Sequence, residues 1–187
     1  MEFNYITINI ENPGNQPIIP VGLPPGVEPP TDINYVENYL PYLITGHKGD
    51  KEEYTYGYYL ASQIPKVIKM LKEGGYETNQ AYMAVGDMNS IDQEDPPCLR
   101  GIQVRIIEGK LNFFVYFRSW DLWTGFPPNL AAIQLMKEYM VSELNDPNIK
   151  DGEIVASSGG LHLYEYAWSW AEAYIAKRIE DYQNIQH

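Results

Sequence analysis

Apolar positions along this chain follow two periods, two for strands and near 3.6 for helices, and the switches between them mark the elements. Residues 3 to 10, FNYITINI, alternate as one strand. Seven prolines between Pro13 and Pro30 then predict an extended surface segment packed by its own Ile and Val. DINYVENYLPYLITG, residues 32 to 46, predicts a short helix capped by Asp32 and broken or kinked at Pro41. The spacing of Ile64, Val67, Ile68 and Leu71 predicts a helix with Ser62 as its cap and Gly74-Gly75 as its end. QAYMAVGDMN, residues 80 to 89, reads as a buried strand, and residues 99 to 119 as two strands joined at Glu108-Gly109-Lys110. After Pro127-Pro128, residues 129 to 144 predict a helix that turns Leu130, Ile133, Met136 and Met140 inward. GEIVASSGGLHLY, residues 152 to 164, is one further strand loosened by Gly159-Gly160, and residues 166 to 183 form an aromatic closing helix. Strands and helices mix without regular strand-helix-strand alternation, which gives an α+β fold with no internal repeat.

The length of 187 residues suits one domain, an irregular Pro-rich part over 1–50 followed by a motif-bearing core over 54–164. Thirteen basic against twenty-five acidic residues give a net charge of -12, which opposes contact with nucleic acid or an anionic membrane surface. One cysteine excludes an internal disulfide, and His47, His162 and His187 offer no zinc spacing. Without a leader or an apolar run of about 18 residues, a soluble cytoplasmic protein is the expectation.

Three short stretches carry the candidate chemistry. The lone Cys98 in EDPPCLRGIQVRI follows Pro96-Pro97 and opens the predicted hairpin. A free cysteine is most often a small buried hydrophobe, whereas a reactive one needs nearby positive charge. A turn at Gly109 pairs residue 98 with about residue 119 or 120 and brings Arg118 beside the sulfur. FRSWDLWTGFPPN, residues 117 to 129, alternates Arg118, Ser119 and Asp121 with Phe117, Trp120 and Leu122 before a Pro-Pro helix start. A charged strand end feeding a helix N-terminus suits an anion with a polar ring, or equally a solvated sheet edge. In LHLY, His162 and Tyr164 share one strand face, which offers donors to sugar hydroxyls or a satisfied core histidine.

DPPC, RSWDLWTGFPPN and LHLY, in this order and at these separations, resemble the thymidylate synthase and pyrimidine hydroxymethylase family, and its short archaeal-type members most. The resemblance runs from about Tyr54 to Tyr164 and implies a homodimer built on a large mixed sheet flanked by helices. It implies dUMP as substrate and 5,10-methylenetetrahydrofolate or a related methylene-pterin as one-carbon carrier. Cys98 would add to C6, activating C5 for methylation. Arg118 would hold the phosphate and stabilise the thiolate, with Ser119 adding a phosphate hydrogen bond. Asn129 would read N3-H and O4 of uracil, and Asp121 would contact the pterin. Gly125 would let the base approach the backbone, His162 and Tyr164 would hold the sugar 3'-hydroxyl, and Tyr56 would assist proton abstraction at C5.

Departures from the family pattern set the alternatives. Asn79-Gln80 stands where two adjacent arginines usually reach the phosphate across the dimer. Leu99 replaces a usual histidine and Phe117 a usual glutamine. Glu37, or else Glu52 or Glu53, is the candidate catalytic glutamate, and the sequence ends in NIQH after a helix rather than in the family's closing tail. These features leave a pyrimidine nucleotide hydroxymethylase, a substrate with a differently placed phosphate, or a nucleotide-binding scaffold as competing readings. The binding partner of Trp120 and Trp123, a pterin or base wall against simple core packing, is also open.

Overall fold

The computed structural model describes residues 1–48 and 54–185. Its strands are β1 (Glu2–Phe3), β2 (Ile6–Ile10), β3 (Tyr82–Ala84), β4 (Leu99–Ile107), β5 (Lys110–Phe117), β6 (Trp120–Asp121), β7 (Lys150–Ser158) and β8 (Leu161–His162). Its α-helices are α1 (Ile33–Ile44), α2 (Tyr56–Leu60), α3 (Ile64–Glu73), α4 (Phe126–Leu144) and α5 (Trp168–Ile185). Five strands form a mixed sheet in the order β2-β7-β5-β4-β3, with β5 and β7 parallel and the other neighbours antiparallel. The expected α+β architecture, a large mixed sheet with helices against it, is what the chain adopts.

Alternation along β5 explains the sheet's two faces. Leu111, Phe113, Val115 and Phe117 are buried with Ile102, Val104, Ile154 and Ala156 of the neighbouring strands. Helices α3 and α4 cover that face, with Ile133, Met136 and Met140 of α4 and Val67 and Leu71 of α3 in one core. Among the described residues no helix lies over the other face, and Tyr82, Gln103, Phe114, Val155 and Asn9 form one row across all five strands. Tyr82, Phe114 and Tyr116 are 52%, 38% and 41% exposed there. Gly101 is required beneath this row, because a Cβ would collide with the Tyr82 ring.

Two predicted strands divide where they were read as continuous, and the second hairpin strand, read to Ser119, ends short. FNYITINI becomes β1 and β2, GEIVASSGGLHLY becomes β7 and β8, and β5 stops at Phe117 before β6. The second sheet, β1-β8-β6, repeats the order β2-β7-β5, so three neighbouring strands bend at one level. Gly159 and Gly160 permit the bend. A Cβ on Gly159 would lie 2.9 Å from the Arg118 carbonyl, and one on Gly160 would strike the Glu2 carboxylate. The backbone ladder continues through it, from Gly159 N–H to Phe117 O at 2.9 Å and from Trp120 N–H to Gly160 O at 2.8 Å. Arg118 and Ser119 occupy the bend.

Other boundaries differ for local reasons. The buried strand expected over 80–89 shrinks to β3, because Gly86 takes φ 85° and a 3-10 turn follows over Met88–Asp92. Asp32 caps α1 as expected, accepting from Asn34 N–H at 2.7 Å, and Pro41 lies inside the helix. Ser62 does not cap α3. Gln63 holds the N-cap position, and its side chain joins Tyr59 O and both backbone groups of Ala84, tying helix to strand. Helix α4 starts earlier than expected, with both prolines in its first turn, and α5 starts later, after a 3-10 turn over Glu165–Ala167. The Pro-rich segment is packed by its own Ile19, and in part Ile18, against Val36 and Ala131, whereas its Val21 is exposed. The hairpin turn falls at Glu108-Gly109, both at positive φ.

Candidate active site

Cys98 sits half-buried just ahead of β4, and the bend brings Arg118 to it. An extra residue in β4 between Leu99 and Gly101 shifts the hairpin register. Arg118 N–H therefore donates to Cys98 O at 2.8 Å, so residue 118 rather than 119 or 120 faces the cysteine. The guanidinium is hung on the approach loop: Nε donates to Pro96 O at 3.1 Å, and Nη2 donates to Pro96 O at 2.5 Å and to Asp95 Oδ1 at 3.1 Å. Burial pushes the Cys98 thiol up, the Arg118 charge pulls it down, and the Asp95 carboxylate pushes it up again.

Tyrosines form the wall on the other side. Tyr35, Tyr39 and Tyr42, at helical spacing on α1, stack with ring centroids 5.4 and 5.1 Å apart. Tyr42 meets Tyr56 edge-on at 6.0 Å, and Tyr54 and Tyr56 lie 5.8 Å apart. Tyr56 is positioned by Thr55, which caps α2 by accepting from Tyr58 N–H at 3.0 Å. Its hydroxyl accepts from Leu99 N–H at 3.4 Å, one residue from the cysteine. Burial raises the pKa of Tyr39, Tyr54 and Tyr56 above the ordinary 10.0, so their hydroxyls keep the proton into still more alkaline solution than a free tyrosine does. Tyr54 also feels the charges of Cys98 and Asp95.

The remaining candidates divide into three places. Ser119, His162 and Tyr164 line one polar groove of about 500 Å³ together with Glu2, Glu165 and Trp168. The His162 and Tyr164 rings meet edge-on at 4.7 Å, although β8 ends at His162. Asn129 is held from both ends, its carbonyl accepting from Trp120 Nε1 at 2.9 Å and its amide donating to Tyr39 hydroxyl at 3.0 Å. Among the described residues these two bonds use one lone pair and one N–H of the Asn129 amide group. Asp121 and Gly125 belong to the turn into α4. Asp121 Oδ1 accepts from Trp123 N–H at 3.0 Å, and Oδ2 accepts from Thr124 N–H, the Thr124 hydroxyl and the Tyr166 hydroxyl. A Cβ on Gly125 would lie 2.9 Å from Asp121 O, so the turn itself accounts for this glycine.

Trp120 is buried and stacked on Phe117, with centroids 3.9 Å apart, which settles it as packing. Trp123 lies against Trp170 and Tyr174 beside an apolar cavity of about 280 Å³. Asn79 and Gln80 flank β3, where Asn79 O accepts from Gln103 at 2.7 Å and Gln80 N–H donates to Thr78. The Glu37 backbone belongs to α1, while Glu52 and Glu53 lie outside the described residues. Sequence reading missed Asp95, Tyr39 and Tyr54. The α1 tyrosines repeat at i, i+4, i+7, a visible signal of one shared face.

Comparison with known proteins gives one consistent relationship. A family model described as thymidylate synthase matches residues 48–186. A Methanosarcina acetivorans protein, provisionally named thymidylate synthase, is 28% identical over 183 residues, 91% of this chain and 77% of that protein. Its Methanosarcina barkeri counterpart, also provisionally named, is 29% identical over 145 residues, 73% of this chain and 64% of that protein. The Mycoplasma pneumoniae thymidylate synthase is 32% identical over 104 residues, 55% of this chain and 35% of that enzyme. Among solved structures, thymidylate synthase from T4 phage superposes with a TM-score of 0.67 at 15% identity, over 88% of this chain and 68% of that one. At that identity the likeness concerns the fold.

Proposed function

Because the chain belongs to the thymidylate synthase family, we propose that it activates C5 of dUMP, or of a closely related pyrimidine nucleotide, through addition of the Cys98 thiolate to C6. The observation that carries this reading is the meeting of Cys98 with Arg118, fixed by the 2.8 Å backbone bond and by the guanidinium hung on Pro96 O. The sulfur lone pair forms the S–C6 bond, and the C5=C6 pair moves onto C5 and the C4 carbonyl. A one-carbon electrophile or a proton then joins C5. Loss of the original C5 proton and expulsion of the thiolate restore the double bond, leaving the cysteine unchanged.

Arg118 serves as the cation that favours thiolate and meets the phosphate. Ser119, His162 and Tyr164 line the groove for phosphate and sugar hydroxyls, and Asn129 presents one acceptor and one donor to the ring. Tyr56, protonated and beside Leu99 N–H, assists proton movement at C5. In this reading 5,10-methylenetetrahydrofolate or a related methylene-pterin would supply the one-carbon unit and, for a methyl product, also the hydride that reduces it as the carrier amine departs, the carrier leaving in its dihydro form. Asp121, the residue assigned to the pterin in this reading, is oriented at the turn into α4 by Trp123 N–H, Thr124 and the Tyr166 hydroxyl. The steps above concern the pyrimidine alone. A homodimer over the uncovered sheet face is supported by exposed Tyr82, Phe114 and Tyr116. Among the described residues no helix is long and apolar enough to cross a membrane.

Incubation with dUMP and methylenetetrahydrofolate, followed by mass spectrometry of the nucleotide, tests the reading. A C5-methylated product supports it in full, and a hydroxymethylated one moves the chain to the hydroxymethylase branch. An unchanged nucleotide with every methylene-pterin tried would overturn the transfer step.

A further inference from the structure

Arg118 is already paired with an anion, and that anion comes from the chain itself. Asp95 Oδ1 lies 3.1 Å from Arg118 Nη2, three residues before Cys98, with Pro96-Pro97 fixing the path between them. We propose that Asp95 is an internal substitute for the substrate phosphate: it holds Arg118 in the free protein and yields it when a phosphate-type dianion arrives. The inference rests on the reading that Arg118 binds the substrate phosphate.

Three observations support displacement over a permanent ion pair. The Asp95 side chain is 78% exposed, so its release buries no charge and costs only an exposed salt bridge. Pro96 O keeps two N–H groups of Arg118, so the guanidinium stays beside Cys98 when Asp95 leaves. Among the described residues Nη1 has no hydrogen-bond acceptor, so a phosphate can engage it together with the Nη2 donor that Asp95 vacates. Substrate phosphate and the cysteine loop are thereby coupled. The dianion takes over Arg118 while a carboxylate that opposes the thiolate swings away from it. Asp95 is a positioning residue in this scheme, and it sharpens selection, because a weak monoanion displaces a carboxylate less readily than a dianion.

The test is calorimetric titration of the full chain with inorganic phosphate, comparing wild type, Asp95→Asn, Asp95→Glu and Arg118→Gln. Removing the competing charge is expected to tighten phosphate about 2–5-fold in Asp95→Asn, the range set by an exposed ion pair. Asp95→Glu is expected to keep wild-type affinity, and Arg118→Gln to lose binding. In turnover, Asp95→Asn lowers KM for dUMP and leaves KM for deoxyuridine unchanged. A gain in affinity is a readout that structural damage would not produce. Equal or weaker phosphate binding by Asp95→Asn overturns the inference. The phosphate titration needs no turnover: tighter binding without any reaction on dUMP would refute the proposed chemistry and leave this inference standing, and the reverse pattern would do the opposite.

Discussion

At the scale of single residues, the site is a contest between burial and charge. The thiol is raised by burial and by Asp95 and lowered by Arg118, so removal of the Arg118 charge should slow alkylation of Cys98 by iodoacetamide at neutral pH. Arg118→Gln tests this with a rate measurement, and an unchanged rate would separate the two residues. Tyr56→Phe removes a hydroxyl that accepts from Leu99 N–H, at a cost of about 1 kcal/mol in denaturant unfolding. If the hydroxyl also moves a proton at C5, exchange there should fall by about 100-fold or more, and a fall of only a few-fold would make Tyr56 a support for the backbone. That Arg118 meets Cys98 and that the His162 and Tyr164 rings meet was legible, because each pair stands in short motifs of unusual composition. Asp95 was not, since an acidic residue ahead of two prolines reads as solvated loop until Arg118 is seen folding back onto it.

At the scale of elements, the common bend in three strands sets the geometry. Gly159→Ala places a methyl against Arg118 O, which should cost about 1–3 kcal/mol in thermal or denaturant unfolding and weaken phosphate binding together. Lost stability with unchanged phosphate affinity would show that the bend does not aim Arg118. Helices α1, α3, α4 and α5 and the β4-β5 hairpin were readable, because periodicity and the Glu108-Gly109 turn are local signals, whereas the five-residue α2 is too short to show a period. The bend was not: alternation slips by one residue there, from Phe117 to Trp120 and from Ser158 to Leu161, but only the pairing of β1-β8-β6 beside β2-β7-β5 shows that neighbouring strands slip at one level. The offset of one to two residues at Cys98 has its own local source, a bulge that adds one residue to β4 without altering composition.

At the scale of the whole molecule, buried titratable groups set the pH range of stability. Lys137 of α4 is fully buried, donating to Gly152 O and lying 3.2 Å from Asp151, and burial lowers its pKa from the ordinary 10.5. The unfolded chain then holds more protons than the folded one between that lowered value and 10.5, so Lys137 makes stability rise with pH across this window. Tyr39, Tyr54 and Tyr56 are raised, so their contribution is complete below the ordinary 10.0 and is lost as pH climbs through their folded values. Unfolding free energy is therefore expected to fall steeply above pH 10, with Tyr56→Phe flattening the fall in a denaturation series, and an equal slope in the variant would exclude Tyr56 as a contributor. Phe114→Glu on the uncovered sheet face is expected to convert a sedimenting dimer to monomer, and unchanged sedimentation would place any pairing elsewhere.

The role of Cys98 is tested most directly by exchange of the C5 hydrogen of dUMP with deuterated solvent, followed by NMR, with wild type beside Cys98→Ala. Addition of the thiolate to C6 requires exchange by wild type and none by the variant. No exchange by wild type, with or without methylenetetrahydrofolate, or equal exchange by both proteins, would contradict the proposed chemistry.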